Sequence, residues 1–249
     1  MLGLGAGLAC GLLNTAAGSG SVVSLPLLML LGVDPLSANA TNRIPVLIGS
    51  ISGVLSFHRR RSLPVGLALK VCLPSAFGSV VGASVAELLP SRKLGLVITG
   101  AVLIVLALLF TRIKKALQEA GADVQQYSWR ESLVFFALGI WLGFIVIDGA
   151  TYILFALTLA MGVNLVHANA IKSAVLIPTT LIAMSVFAYN GNIHWKLGAI
   201  MGVGSAIGGV FGARLTMSAR AHQYVVGMLV LVISGELIHL VVHYVFETH

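Results

Sequence analysis

The chain has 249 residues, of which 58% are hydrophobic and 9% are charged. A soluble domain of this length carries about a quarter charged residues, so the composition excludes a water-soluble globular protein and indicates a single membrane domain over residues 1–249. The net charge of +7 does not indicate nucleic-acid binding, because the cations are scattered between apolar segments, a pattern that orients membrane proteins in the bilayer.

Ten apolar segments follow one another along the chain, and a polar linker at 112–131 divides them into halves at 1–111 and 132–249. The five segments predicted in the first half are 1–16, 20–32, 36–57, 65–88 and 93–111. The five predicted in the second half are 132–147, 150–162, 166–189, 195–213 and 222–245. Segments of about 20 residues can cross a bilayer as helices, so the fold class is predicted to be all-α and integral to the membrane.

The two halves repeat each other at an offset of 130 residues. Residues 32–40, Gly-Val-Asp-Pro-Leu-Ser-Ala-Asn-Ala, return at 162–170 as Gly-Val-Asn-Leu-Val-His-Ala-Asn-Ala. Residues 75–83 return at 205–213, and both copies contain two glycines four positions apart, a spacing that lets membrane helices pack closely. Internal repeats in a strongly apolar chain are typical of transporters built from two related halves.

The second segment of each half is too short to cross a bilayer. Segments 20–32 and 150–162 hold 13 residues each, so as helices they rise roughly 20 Å, less than the hydrocarbon core of about 30 Å. Each follows a junction rich in small and polar residues, at 14–21 and 147–151. We therefore predict a broken or re-entrant helix in each half. Its junction is expected near mid-membrane, where irregular backbone must be surrounded by protein or a water-filled cavity.

The distribution of Lys and Arg predicts the orientation of the chain. Eleven of the 15 fall on one predicted side: Arg59, Arg60, Arg61, Lys70, Arg112, Lys114, Lys115, Arg130, Lys172, Arg214 and Arg220. Four fall on the opposite side: Arg43, Arg92, Lys93 and Lys196. By the positive-inside rule the first side, with the linker 112–131, is cytoplasmic in a cell (inner) membrane, and both termini lie outside. Each half then makes an odd number of net crossings, so the two five-element halves are predicted to form an inverted-topology repeat.

Several short motifs occur in the order and spacing of a known family. They are Gly18-Ser19-Gly20, Leu25-Pro26-Leu27-Leu28, Leu31-Gly32-Val33-Asp34-Pro35, Ala38-Asn39-Ala40-Thr41, Leu89-Pro90-Ser91-Arg92, the run from Phe187 to Trp195, and Gly212-Ala213-Arg214. With these motifs the chain resembles the TauE/SafE (sulfite exporter) family over almost its whole length. Its first Gly-rich run reads Gly-Ser-Gly-Ser rather than a run of glycines. The resemblance implies transport of a small anion: sulfite, a sulfonate or a related organic or sulfur oxyanion.

Two cations, Arg43 and Lys172, lie inside predicted membrane segments, where ionisable groups are costly and usually functional. Lys172 aligns with Asn42 in the repeat, so the cations are nearly pseudo-symmetric, each about two turns, or roughly 10 Å, into its segment. One hypothesis is that one or both neutralise an anionic substrate. The alternative is that they reach a lipid headgroup or orient the segment.

The starts of the two short helices are candidate anion sites. Backbone N–H groups at the beginning of a helix lack intrahelical partners and carry partial positive charge. The residues concerned are Ser19, Gly20 and Ser21 in the first half and Gly149 and Thr151 in the second. Ser21 and Thr151 align in the repeat and could add hydroxyl donors, although helix capping alone would also explain them.

Four amides and one carboxylate complete the candidate set. Asn14, Asn39, Asn42 and Asn169 are amides in apolar surroundings, and they either contact substrate or hold the broken helices together. Asp148 directly precedes the second short helix, where a carboxylate is stabilised by the helix dipole. It could cap that helix, pair with one of the two cations, or act as the proton or cation coupling group. Gly18 against Asp148 and Asn42 against Lys172 are positions where the two copies disagree.

No cofactor or metal is predicted. Cys10 and Cys72 lie in apolar segments without metal-ligand spacing and are interpreted as small core residues. The cluster Glu236, His239 and His243 has helical spacing compatible with metal ligands but is interpreted as an interfacial helix face.

Together these features predict a secondary transporter of a small anion, and not an enzyme. The nucleotide-binding pattern Gly-x-x-x-x-Gly-Lys-[Ser/Thr] is absent from the sequence, so an ion, a proton or the substrate's own gradient must drive transport. Binding is expected where the two junctions approach each other. A passive anion channel is the main alternative, followed by an intramembrane enzyme and a membrane assembly factor. The predicted partners are the substrate and the bilayer, and a homo-oligomer is left open.

Overall fold

The computed structural model describes residues 2–89, 127–147 and 149–218, and the regular elements in these ranges are helical. The helices are α1 (Leu2–Ala17), α2 (Ser21–Leu30), α3 (Pro35–Thr41), α4 (Arg43–Arg59), α5 (Val65–Leu88), α6 (Trp129–Phe144), α7 (Gly149–Phe155), α8 (Leu165–Tyr189) and α9 (Trp195–Thr216). A π-helical turn, Ala156–Ala160, continues α7. The predicted segments 93–111 and 222–245 and the linker residues 112–126 lie outside the described residues.

The prediction of an all-helical membrane protein is confirmed for the described part of the chain. Helices α5, α8 and α9 are each long and apolar enough to cross a bilayer. Large apolar side chains on α5 point away from the protein, among them Leu73 and Phe77, which are 62% and 68% exposed. Such exposure suits contact with lipid rather than water.

The predicted segment 36–57 divides at Asn42 into α3 and α4. Pro45 has no N–H, so the carbonyl of Thr41 loses the donor that a continuous helix would supply. The hydroxyl of Thr41 accepts the N–H of His194 at 3.0 Å and so ties this point to the loop before α9. The second-half counterpart, α8, continues through the equivalent position without a break.

Helices α1 and α2 form a tight hairpin. Gly18 has a φ of +88°, in the left-handed region that glycine adopts at the end of a helix. Helix α2 then runs back along α1: a side chain at Gly20 would clash with the backbone of Cys10, and Leu28 packs with Ala6. The chain therefore returns to the side on which α1 begins.

Glycines allow α1 and α9 to pack backbone to backbone. A Cβ on Gly7 would lie closer than 3.0 Å to the carbonyl of Met201, and a Cβ on Gly11 would do the same to Ser205. Because the two residue numbers rise together, these helices run in the same direction.

Helices α5 and α6 pack in the same way. Gly78 and Gly82, the glycines of the first repeated motif, lie against the backbone carbonyls of Phe136 and Ile140. These helices also run in the same direction. The first helix of each half thus packs against the fourth apolar segment of the other half.

Helices α4 and α8 run in opposite directions. Arg43, at the start of α4, lies with its Cζ 5.2 Å from the ring centre of Phe187, near the end of α8. Phe57, near the end of α4, lies in one buried cluster with Ala170, near the start of α8. Residue numbers rise together along three further helix pairs. The contacts are Pro45–Ser205 and Gly49–Gly209 for α4 and α9, Gly11–Gly49 and Thr15–Gly53 for α1 and α4, and Ser79–Thr179 and Glu87–Asn192 for α5 and α8 with the loop after it. Helices α1, α4 and α9 therefore point one way, and α5, α6 and α8 point the other way.

Candidate functional site

The breaks that precede α2 and α7 touch each other. A Cβ on Gly18 would lie 2.7 Å from the backbone nitrogen of Thr151, so only a glycine allows this approach. The hydroxyl of Thr151 donates to the carbonyl of Ala17 at 3.4 Å. The structure thus brings the junction residues of the two halves together in one buried region.

Lys172 caps the broken helix of the opposite half. Its Nζ donates to the carbonyls of Asn14 and Thr15, at 2.7 and 3.0 Å, and to Oδ1 of Asn169 at 2.7 Å. The carbonyl of Asn14 also accepts the N–H of Gly18 at 3.0 Å, whereas Lys172 is the donor to that of Thr15, and carbonyls at the end of a helix carry partial negative charge. Lys172 therefore stabilises the end of α1 just before the chain breaks.

Arg43 makes the reciprocal contact. Its Nη1 and Nη2 donate to the carbonyls of Leu142 and Gly143, both at 2.7 Å, in the last turn of α6. The ring of Phe187 lies against the guanidinium group, a cation–π arrangement. Both Arg43 and Lys172 are fully buried, so neither reaches a lipid headgroup, and the alternative of snorkelling is wrong for both.

The repeat partners Asn39 and Asn169 have different contacts. Asn39 donates to the carbonyl of Phe144 at 3.0 Å and accepts the N–H of Val146 at 3.2 Å, so it holds the extended backbone that follows α6. Asn169 donates to the carbonyl of Leu165 at 3.1 Å and accepts from Lys172. Asn39 thus joins α3 to the backbone after α6, whereas the bonds of Asn169 lie within α8 and orient Lys172.

The start of α2 carries polar groups without partners. Ser19 and Ser21 are 2% and 1% exposed, and their Oγ atoms have no hydrogen-bond partner in the described structure. Neither does Nδ2 of Asn42, although its Oδ1 accepts the hydroxyl of Ser24 at 2.7 Å. Since Ser24 Oγ also lies 3.3 Å from the carbonyl of Gly20, the Asn42 amide sits beside the first turn of α2.

The start of α2 offers donor groups whose chemistry suits an anion. The N–H groups of Val22 and Val23 bond to the carbonyls of Ser19 and Gly20, at 3.2 and 3.3 Å, so the groups that could face a ligand are the N–H groups of Gly20 and Ser21. The helix dipole favours negative charge at this end. Gly20, before the first residue of α2, has no side chain that could cap these groups. Buried hydroxyl and amide donors beside them add further hydrogen bonds that a small oxyanion could accept.

The sequence did not indicate Ser24 as part of this region. Its position three residues after Ser21, on the same helix face, was the available signal. Nor did it indicate that the cations bind backbone carbonyls, since carbonyls have no sequence signature.

Two groups of predicted residues receive no structural test. Asp148 lies outside the described residues, as does the cluster Glu236, His239 and His243. Gly149, the first residue of α7, packs against the side chain of Leu142.

Comparison with known proteins identifies the family. The family model described as sulfite exporter TauE/SafE matches residues 3–237. The chain is 31% identical to a probable membrane transporter protein, ORF9, of a Sinorhizobium species, over 89% of this chain and 84% of the relative. It is 26% identical to a probable membrane transporter protein of Haemophilus influenzae, over 85% and 83% of the two chains. It is 25% identical to the probable membrane transporter protein YfcA of Escherichia coli K12, over 89% and 82%. No solved structure gives a significant match. The chain belongs to the sulfite exporter TauE/SafE family of membrane proteins.

Proposed function

We propose that this protein is a secondary transporter that moves a small anion, of the sulfite, sulfonate or related oxyanion class, across the membrane. The observation that carries the proposal is the group of buried donors beside the helix breaks, where Ser19, Ser21 and Asn42 hold polar atoms without partners in the described chain. A desolvated donor without a partner costs about 1–3 kcal/mol, and a bound anion would remove that cost. The family description names sulfite export, and the relatives are named as membrane transporters.

We further propose that the two halves form an inverted repeat. The supporting observation is the direction of the helices: α1 and α4 point opposite to their repeat counterparts α6 and α8. The two cations support the same arrangement, because Arg43 and Lys172 each bind the last turn of the other half's first helix. A transporter of this design exposes its site alternately by moving one half against the other.

The proposed orientation places the linker on the cytoplasmic side of the inner membrane and both termini outside. Basic residues collect at one end of the described helices, where Ser62 contacts Met217 at 3.8 Å and Tyr127 donates to the carbonyl of Lys70 at 2.8 Å. This end carries Arg59, Arg60, Arg61, Lys70, Arg130 and Arg214. Arg43 and Lys172 are buried and are therefore left out of the comparison of basic residues on the two sides. The remaining ten Lys and Arg residues against three support a cytoplasmic location for this end.

Counterflow across proteoliposomes tests the proposed transport and separates it from a passive channel. Vesicles containing the purified protein are loaded with unlabelled sulfite, sulfoacetate, sulfate or thiosulfate, and uptake of the same ³⁵S-labelled anion is followed. For a carrier we expect saturable uptake that internal anion accelerates, for at least one of the four. Linear uptake without acceleration would identify a channel. Flux no greater than in protein-free vesicles for all four anions would contradict the proposal and favour an assembly factor.

We propose Asp148 as the group that couples transport to protons. The support is its sequence position directly before α7, where a carboxylate would compete with an anionic substrate for the positive end of a helix. In the Asp148→Asn variant, the rate of net anion uptake is expected to lose its dependence on pH between the two sides. An unchanged pH profile, at the protein abundance of the unmodified chain, would assign coupling to another group.

A further inference from the structure

Among the described residues, the buried side-chain polar atoms without partners are concentrated in one half of the protein. Within residues 2–89, 127–147 and 149–218 they belong to six residues of the first half: Thr15 Oγ1, Ser19 Oγ, Ser21 Oγ, Asn42 Nδ2, Arg43 Nε and Ser50 Oγ. The two halves therefore share the order of their apolar segments but differ in the hydrogen bonding of their buried polar side chains. Such an imbalance is expected if one half holds a ligand and the other half holds the structure together.

On the second-half side of the junction, the ammonium group of Lys172 has no N–H hydrogen free to bind a ligand. An ammonium group has three N–H donors, and Lys172 uses all three, on Asn14, Thr15 and Asn169. Thr151, the counterpart of Ser21, has its hydroxyl on the carbonyl of Ala17. Both residues therefore act on the protein itself.

Arg43 differs from Lys172 in this respect. A guanidinium group has five N–H donors. Arg43 directs Nη1 and Nη2 at the last turn of α6, while its buried Nε has no partner. Of these two cations, Arg43 has a donor nitrogen without a partner and Lys172 does not.

The first-half side combines three independent features of an anion site. Helix α2 has ten residues, so its start carries a developed dipole. The N–H groups of Val22 and Val23 bond to the carbonyls of Ser19 and Gly20, and among the described hydrogen bonds those of Gly20 and Ser21 are left for a ligand. Ser19 and Ser21, at this start, are almost completely buried and have no partner. Asn42 is anchored by Ser24 through Oδ1, which leaves its Nδ2 hydrogens beside the same turn.

We infer that the two halves have different tasks at the junction. The first half binds the anion at the start of α2, through Ser19, Ser21 and Asn42. The second half holds the junction together through hydrogen bonds to the protein itself. In this arrangement Lys172 and Thr151 are positioning residues that do not touch the substrate. The inference rests on the proposed transport of a small anion and specifies which of its candidate residues are ligands. It also assigns a purpose to the position at which the copies differ, Asn42 against Lys172.

The matched pair Ser21→Ala and Thr151→Val tests this division. Each variant removes one hydroxyl at equivalent positions of the repeat, and Val keeps the shape of Thr. The purified full chain is titrated in turn with sulfite, sulfoacetate, sulfate and thiosulfate, and the affinity is obtained from the rise in unfolding temperature. Ser21→Ala is expected to weaken binding about tenfold, as for the loss of one hydrogen bond to a charged group. Thr151→Val is expected to lower the unfolding temperature without anion and to leave the affinity unchanged.

A second variant keeps the test decisive if Ser21→Ala folds poorly. Asn42→Asp keeps the oxygen that Ser24 contacts and replaces the free donor with a second carboxylate oxygen, so stabilisation by anions is expected to disappear. Equal weakening by Ser21→Ala and Thr151→Val, or full affinity in both Ser21→Ala and Asn42→Asp, would overturn the inference while leaving transport intact. A wild-type chain that neither binds nor transports any of the four anions would overturn the proposed function itself.

Discussion

Lys172→Met is expected to lower the free energy of unfolding by about 3 kcal/mol. Methionine fills a similar volume, but the carbonyl of Thr15 and Oδ1 of Asn169 lose their donor, and each buried acceptor left unsatisfied costs about 1–3 kcal/mol. The carbonyl of Asn14 keeps the N–H of Gly18. Removing a buried charge returns part of that loss, which is why the expected value lies below the sum of the lost contacts. Unfolding of the purified protein in mixed micelles, followed by loss of helical signal against denaturant, measures the difference.

Lys196→Met is the matched control, because Lys196 is exposed near the start of α9 and its loss should leave the unfolding free energy nearly unchanged. The folded fraction of Lys172→Met should still bind anion with wild-type affinity. If Lys172→Met were as stable as the unmodified chain but failed to bind anion, Lys172 would be a substrate ligand after all.

Gly7→Ala is expected to cost about 3 kcal/mol of stability, although alanine is the better helix former. The new Cβ would lie closer than 3.0 Å to the carbonyl, carbonyl carbon and Cα of Met201, so α1 and α9 must separate. Overpacking of this kind costs about 1–3 kcal/mol, with the high end expected where rigid backbone is the obstacle. The same micelle unfolding assay applies.

Gly5→Ala provides the comparison within the same helix. A Cβ on Gly5 meets no described atom within 4 Å, so the substitution should be neutral or stabilise by up to about 1 kcal/mol through helix propensity. Equal effects of Gly5→Ala and Gly7→Ala would mean that α1 and α9 do not pack as closely as described.

Much of the fold follows from the sequence because it depends on local signals. Thirteen apolar residues cannot span a bilayer, and the short α2 after the break at Gly18 is what that length predicts. The glycine spacing at Gly78 and Gly82 predicts close helix packing, and both residues lie against the backbone of α6.

The partners of the cations could not be predicted in this way. Asn14 and Leu142, the first carbonyls bound by Lys172 and Arg43, are 128 positions apart, whereas the repeated motifs are 130 apart. The two-residue shift in the first helix of each half hides the equivalence from a gapless alignment. Only the three-dimensional packing shows that the two contacts are the same.

Asn42 and Lys172 occupy equivalent positions of the repeat, and the sequence alone shows only that the two residues differ. Whether such a difference is neutral or changes the role of the residue depends on which polar atoms have a hydrogen-bond partner. Burial and hydrogen bonding decide this, and both are properties of the folded chain.

The central claim, that a small anion binds at the start of α2 during transport, is tested most directly by comparing Ser21→Ala and Thr151→Val in the counterflow assay. The quantity measured is the initial rate of ³⁵S-labelled sulfite uptake at a concentration below saturation, per amount of reconstituted protein. We expect a loss of about tenfold in Ser21→Ala and a wild-type rate in Thr151→Val. Equal rates in the two variants would contradict the claim.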